Sequence, residues 1–237
     1  MPHKRKVNTT KTEIIQTATR MFLEKGFTNT SVKSICDELD ISTGNLTFHF
    51  PSKEHLLAIL VEMLCDFQWK IIERALDEGA TSLQAVCLEL PAMAAVCAEN
   101  EIAKDFYLSA YTHPMSLEII RKNDIAKAKQ VFGCYCPDWT REQYMAAEVL
   151  VSGIEYATLM ATPSSAPLHT QIMAALDTIL TVYQVPCELH QAQLQKMLSM
   201  DYRTIGRRIL QEFAEYIETE NEQALEALRH NVDQKQE

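Results

Sequence analysis

Apolar residues recur at helical spacing along almost the whole chain, and no stretch alternates with the period of two that a half-buried strand requires. Ile14, Ile15, Ala18, Met21 and Phe22 mark one face of a first helix. Thr10, with Glu13 three residues on, predicts a capping box at its start. Gly26 supplies a left-handed stop, and Phe27 can fold back onto the same core. A second, short helix begins at Thr30 or Ser31, either of which can cap it, and buries Val32, Ile35 and Leu39 with Cys36 beside them. Asp40 suits a tight turn because a short polar side chain tolerates positive φ. Ser42 caps a third helix that runs to about His49, where Phe50 and Pro51 end it. Ser52 then caps a long fourth helix with Leu56, Leu57, Leu60 and Leu64 on its buried side.

Beyond residue 80 the punctuation is sparse. Breaks are expected at 78–82, 112–114, 133–137, 162–167 and 184–187, with helices over roughly 83–98, 101–111, 115–131, 141–161, 168–183 and 188–199 between them. A last helix is predicted from Tyr202 to Leu228, and the polar residues Asn231–Glu237 are expected to fray. Helix 141–161 is apolar nearly all round: Tyr144, Met145, Val149, Leu150, Val151, Ile154, Leu159 and Met160 cover most of its circumference. Such a helix must be buried, in the monomer or in an interface. The fold class is therefore all-α.

Composition narrows the classes. With 6 glycines and 8 prolines in 237 residues the chain is neither disordered nor collagen-like. The net charge of −10 argues against a nucleic-acid partner until it is divided. Residues 1–60 carry 8 Lys and Arg against 6 Asp and Glu, whereas the remainder carries 14 against 26. Phosphate binding depends on that local balance rather than on the total. The longest run without a charged residue, Tyr156–Leu176, holds two prolines and several polar side chains, so no membrane span is expected. No apolar h-region follows the basic start His3-Lys4-Arg5-Lys6, so no secretory signal is expected either. Seven irregularly spaced cysteines predict reduced thiols and a cytoplasmic location rather than a disulfide framework. Cys134 and Cys136 form the one close pair, but they lack the further ligands of a zinc site, and no metal or other cofactor is expected. Neither G-x-S-x-G, H-E-x-x-H, a phosphate-binding glycine loop nor a nucleotide fingerprint is found, and no enzymatic activity is expected.

Residues 31–49 read as helix, tight turn, helix. Two short helices must cross closely if the second is to protrude into a major groove, and the small Cys36 permits that contact. Asp40 takes the turn, Ile41 pins it to the core, and Thr43, Gly44, Asn45 and Thr47 offer short or polar side chains near the start of the second helix. The segments IIQTATRMFLEKGFTNTSVKSICDELDIS and STGNLTFHFPSKEHLL, over residues 10–64, resemble the DNA-binding domain of TetR-type transcriptional regulators.

The resemblance implies a three-helix, helix-turn-helix DNA-binding head over residues 1–53. A larger helical ligand-binding and dimerisation body would occupy residues 54–237. It implies that Thr43, Gly44 and Asn45 approach bases, that Thr47, Phe48 and His49 touch base edges and phosphates, that Lys53 pairs with a phosphate, and that Thr30 and Ser31 reach the DNA backbone. Thr43 and Thr47 stand where relatives often carry a cation and a tyrosine. The basic arm His3–Lys6, with Lys11, is expected to offset the loss. Met93, Phe106, Tyr107, Tyr111, His113, Trp139, Tyr144, Tyr156 and Met160 are candidates to line a pocket for an unknown small molecule, although core packing explains each equally well. The partners expected are double-stranded DNA and a second copy of the chain, joined through helices 141–161 and 168–183. The terminal helix is a competing interface element. A repressor released by ligand is the reading implied. A DNA-binding regulator that senses thiol oxidation, or one that needs no ligand, is the alternative.

Overall fold

Eleven α-helices and no strand form among the residues that the computed structural model describes, 3–162 and 164–219. The side chains of residues 3–10 and of Leu76 lie outside that description. The first four helices are α1 (His3–Lys25), α2 (Val32–Leu39), α3 (Thr43–His49) and α4 (Lys53–Asp77). The body follows as α5 (Ser82–Glu99), α6 (Glu101–Thr112), α7 (Pro114–Phe132), α8 (Arg141–Leu159), α9 (Leu168–Val182), α10 (Cys187–Ser199) and α11 (Tyr202–Thr219).

Most boundaries fall where the caps and breakers put them. Ser31 accepts the backbone N–H of Ser34 and closes a capping box at α2. Ser42 accepts the N–H of Asn45 at α3, and Thr81 and Thr140 box the starts of α5 and α8. Asp40 is left-handed, with φ 52°, and ends α2 as its short side chain allows. One boundary differs. α1 starts at His3, so Thr10 is a residue within the helix and not its cap. The side chains of the basic arm His3–Lys6, and the part of the expected last helix beyond Thr219 with the tail Asn231–Glu237, lie outside the described residues.

α5 is the central strut. It packs against α4, α6 and every helix from α7 to α11, most extensively against α11. That last contact depends on Gly206. A methyl at this position would stand 2.7 Å from the Ala92 carbonyl oxygen, so a side chain would push α11 off. Pro91 lies inside α5 and removes one N–H from its ladder, yet the helix continues because its residues are buried on all sides. α5 is the one described helix long and apolar enough to cross a bilayer, with mean hydropathy 1.3. It is 61% buried inside the fold, where it forms the core.

The core is continuous. Ile14 and Phe22 of α1, Leu57 and Phe67 of α4, Phe106 of α6, and Phe213 and Ile217 of α11 belong to one buried cluster. α1 accordingly packs on α6 and α11 as well as on α2 and α4. The first three helices are thus seated on the body rather than hung from it.

Candidate functional site

α3 is seven residues long and has two unlike faces. Leu46 and Phe50 are buried in the core, and α3 packs on α2. Thr43, Gly44, Asn45, Thr47 and Phe48 are exposed, Phe48 to 83%. A side chain at Gly44 would meet nothing closer than the Ser42 hydroxyl at 3.9 Å, and its φ is not positive, so nothing within the chain requires glycine there. The Thr47 hydroxyl donates back to the Thr43 carbonyl at 3.0 Å, which leaves its lone pairs facing out.

Three of the expected contact residues are placed differently. His49 is 9% exposed and packs edge-on against Phe48, with ring centroids 5.1 Å apart. Leu46, His49 and Phe50 stand at i, i+3 and i+4, which is one helical face, so His49 turns in with its neighbours. Thr30 is 1% exposed, and its hydroxyl donates to the Gly26 carbonyl at 2.8 Å. It locks the loop after α1 and cannot reach outward. Ser31, exposed, does the capping. Lys53 is half-buried and donates to the carbonyls of Phe27 (2.7 Å) and Thr30 (2.8 Å), with its ammonium 4.1 Å above the Phe27 ring. Burial lowers its affinity for its proton, against the opposing charges of Glu54 and Asp105. Two of its three N–H bonds are committed inside the chain, so one remains for any anion.

The same loop meets the body at Asp105 of α6. Its carboxylate accepts the Thr28 backbone N–H at 2.8 Å and the Thr28 hydroxyl as well. Gly26, at φ 88°, lies directly beneath, and a methyl on it would stand 2.7 Å from Asp105 Oδ2. Here glycine is required twice, for the left-handed turn and for the approach. His113, at the start of α7, packs edge-on against Phe27 at 5.1 Å. Residues of α6 and α7 therefore touch the turn that leads into α2 and α3.

The nine aromatic and methionine candidates do not converge on one cavity. Met93, Tyr107 and Tyr111 line a small one, of about 30 Å³, between α4, α5, α6 and α7. Phe106 is fully buried core, and His113 belongs to the junction just described. Trp139 and Tyr144 pack at 5.2 Å, with Tyr183 beside Trp139 at 6.0 Å. Tyr156 is half-buried outside the cavity lining, and Met160 is 41% exposed. A wider cleft, about 550 Å³ between α1, α6 and α11, is walled by Gln16, Arg20, Leu23, Arg207, Leu210 and Gln211 among others. None of its described lining residues has a buried polar atom without a partner.

Chemistry concentrates instead in a second cavity, of about 50 Å³, that adjoins the small one. Glu89 of α5, Asp124 and Lys127 of α7, and Glu155 of α8 line both. Glu148 of α8 faces only the second. Lys127 donates to Glu89 at 2.8 Å and pairs with Asp124 at 3.4 Å. Burial pulls its ammonium down, but these two carboxylates outweigh it and raise the lysine above its ordinary range. Tyr111 donates to Glu155 at 2.8 Å. Glu148 is 1% exposed, and neither of its oxygens has a partner; Glu89 Oε1 also has none. Burial, then the charge of Asp124, pushes Glu155 up to about 8 and Glu148 up to about 10. Helical periodicity alone does not single out these residues. The signal was present, since Glu148 and Glu155 fall on the stripe shared by Tyr144 and Val151, where charge is out of place.

The outer face of α8 is the other exception to ordinary patterning. Met145, Val149 and Leu150 are 45%, 52% and 59% exposed, and Ala146, Gly153 and Ala157 lie exposed with them. All seven cysteines are free thiols. Cys134 is exposed, while Cys136 is buried and donates to the Tyr183 carbonyl at 3.1 Å. Burial raises Cys136, and it pushes Cys87 and Cys97 up to about 12.

Comparison with known proteins bears on the head. Residues 14–60 match the family described as bacterial regulatory proteins, tetR family. The chain is similar to YuxN, an uncharacterized HTH-type transcriptional regulator of Bacillus subtilis, with 42% identity over 64 residues. That match covers 27% of this chain and 21% of the relative. It is similar also to the HTH-type transcriptional repressor KstR2 of Mycobacterium tuberculosis, with 32% identity over 78 residues, 33% of this chain and 39% of the relative. Among solved structures, the TetR family protein CprB from S. coelicolor A3(2) matches with a TM-score of 0.41 and 16% identity, over 87% of this chain and 99% of that one. The chain spans less than half of the length of the curated relatives it matches. The matched stretch, residues 14–60, holds the whole of α2 and α3, so the similarity to the tetR family of bacterial regulatory proteins lies in this helix pair and the helices that flank it.

Proposed function

We propose that the protein is a sequence-specific, DNA-binding transcriptional regulator that acts as a homodimer, a repressor released by a small molecule. The carrying observation is α3: a short helix pinned by Leu46 and Phe50, whose other face offers Thr43, Gly44, Asn45, Thr47 and Phe48 to whatever lies outside. A helix so mounted fits a major groove. Asn45 and the threonines can bond base edges, Phe48 can contact thymine methyls, and Gly44 lets a phosphate backbone come close. Ser31 and the remaining N–H of Lys53 would position the head on the phosphates, whereas Thr30 and His49 hold it together from within.

Residue 53 divides the tasks: DNA reading before it, ligand binding and dimerisation after it. The exposed apolar face of α8 is the surface on which two copies would meet, because a monomer would leave Val149 and Leu150 in water. The Thr28–Asp105 and Phe27–His113 contacts would carry a shift of α6 and α7 to the head. A ligand that favours one arrangement then changes DNA affinity by linkage. The matched relatives are named as transcriptional regulators, which supports the regulatory reading and a cytoplasmic location.

The test is selection of bound duplexes from a random pool, followed by anisotropy titration of the winner. A regulator binds it far more tightly than random DNA and loses affinity steeply with salt. Asn45→Ala should cost roughly 1–3 kcal/mol at the selected site and leave the melting temperature unchanged. Failure to enrich any sequence would exclude the reading.

A further inference from the structure

We infer that the cavity between α5, α7 and α8 seats a small organic cation, a protonated amine held by the Glu148 carboxylate with its hydrocarbon part against Val151, Leu176 and Leu180. The inference deepens the regulator reading and rests on it for the consequence at the DNA.

The cavity is short of donors. Four carboxyl groups line it, and Lys127 satisfies parts of two, Glu89 and Asp124. Tyr111 serves Glu155. Glu148, though 1% exposed, is left with two oxygens that accept from nothing, and Glu89 with one. Arg121 of α7 is the other cation near enough to favour the charged form of Glu148, but it makes no ion pair with it. Buried acceptors without donors are costly, and the group that cures the deficit must bring donors. An ammonium brings three, together with the charge that a low-dielectric site rewards.

The remaining walls select the rest of the ligand. Apart from the charged groups, the Cys87 thiol and the Tyr183 phenol, they are aliphatic or aromatic, which suits a short hydrocarbon. Among the described residues no three His, Cys, Asp or Glu side chains are placed to hold a metal ion, so an organic cation fits better than a bare one. A space of about 50 Å³, adjoining a further 30 Å³, exceeds the roughly 10–15 Å³ that one water occupies on this measure. It admits an ammonium head and a few carbons.

The probes are the n-alkylammonium ions from methyl to hexyl, each beside the alcohol of equal length, titrated into the full chain without DNA by calorimetry and thermal shift. The ammonium ions are expected to bind and raise the melting temperature, with the alcohols at least tenfold weaker. Glu148→Gln should weaken butylammonium by tenfold or more. Glu155→Gln, which keeps its tyrosine partner, should weaken it severalfold and serves as the reading if the first variant does not fold. Equal response to alcohols and amines, no binding by any amine at millimolar concentration, or unchanged affinity in the folded variants would overturn the inference. The regulator reading fails separately, if the ligand-free protein selects no DNA.

Discussion

Glu148 is a carboxyl whose surroundings favour its neutral form. It is buried, near Asp124 and Glu155, and without hydrogen-bond partners. Its raised affinity for a proton has a definite sign in stability. Between the ordinary carboxylate range and the raised values of about 8 and about 10, the folded state holds protons that the unfolded state releases. Stability contributed by these groups is therefore complete below the ordinary range and is lost as pH rises through the raised values. The melting temperature of the ligand-free protein should fall between about pH 6 and pH 9, and Glu148→Gln should flatten that fall in a buffer series. Gly44 gives the complementary prediction at the DNA. Since a methyl there meets open space, Gly44→Ala should raise stability by up to about 1 kcal/mol, seen in urea unfolding, while lowering DNA affinity. At this scale the sequence was half legible. The turn at Asp40 and the caps at Ser31 and Ser42 follow from local chemistry alone. Thr30, His49 and Lys53 do not, because their roles are set by carbonyls and rings that only the folded chain brings to them.

Elements were more legible than residues. Helix boundaries depend on caps, glycines and prolines lying next to them in sequence, and α2, α3 and the helices from α5 to α10 end within two residues of expectation. What periodicity could not decide was the neighbour that each face meets. Helix α8 illustrates this: its apolar circumference demanded burial, yet Met145, Val149 and Leu150 remain exposed in the single chain. Leu150→Glu should leave the monomer fold intact and convert a dimer to monomers, read by sedimentation. It should also lose cooperative binding to two half-sites. The inner face of the same helix carries Glu148 and Glu155 into the core. One helix thus borders both the cavity proposed for the ammonium and the surface where copies would join.

For the whole molecule, the continuous core means that the head and the body are one folding unit. Scanning calorimetry should show a single transition for both, with tryptophan fluorescence of the body and amide exchange of α1 melting together. Two heads related by a two-fold axis should select half-sites one turn apart, roughly 34 Å, or a multiple of it. Peroxide should leave Cys87, Cys97 and Cys136 unoxidised in the folded chain, read by mass spectrometry of its peptides, since burial raises these three thiols and thiolates are the form that reacts readily.

The seating of α1 on α6 and α11 has a practical corollary. A fragment cut at residue 53 would bare the faces of α1 that pack on α4, α6 and α11, a seam that was never built to face water. Grafting this reader onto a foreign sensor would require transplanting the seam with it, including Asp105 and the underside of α4.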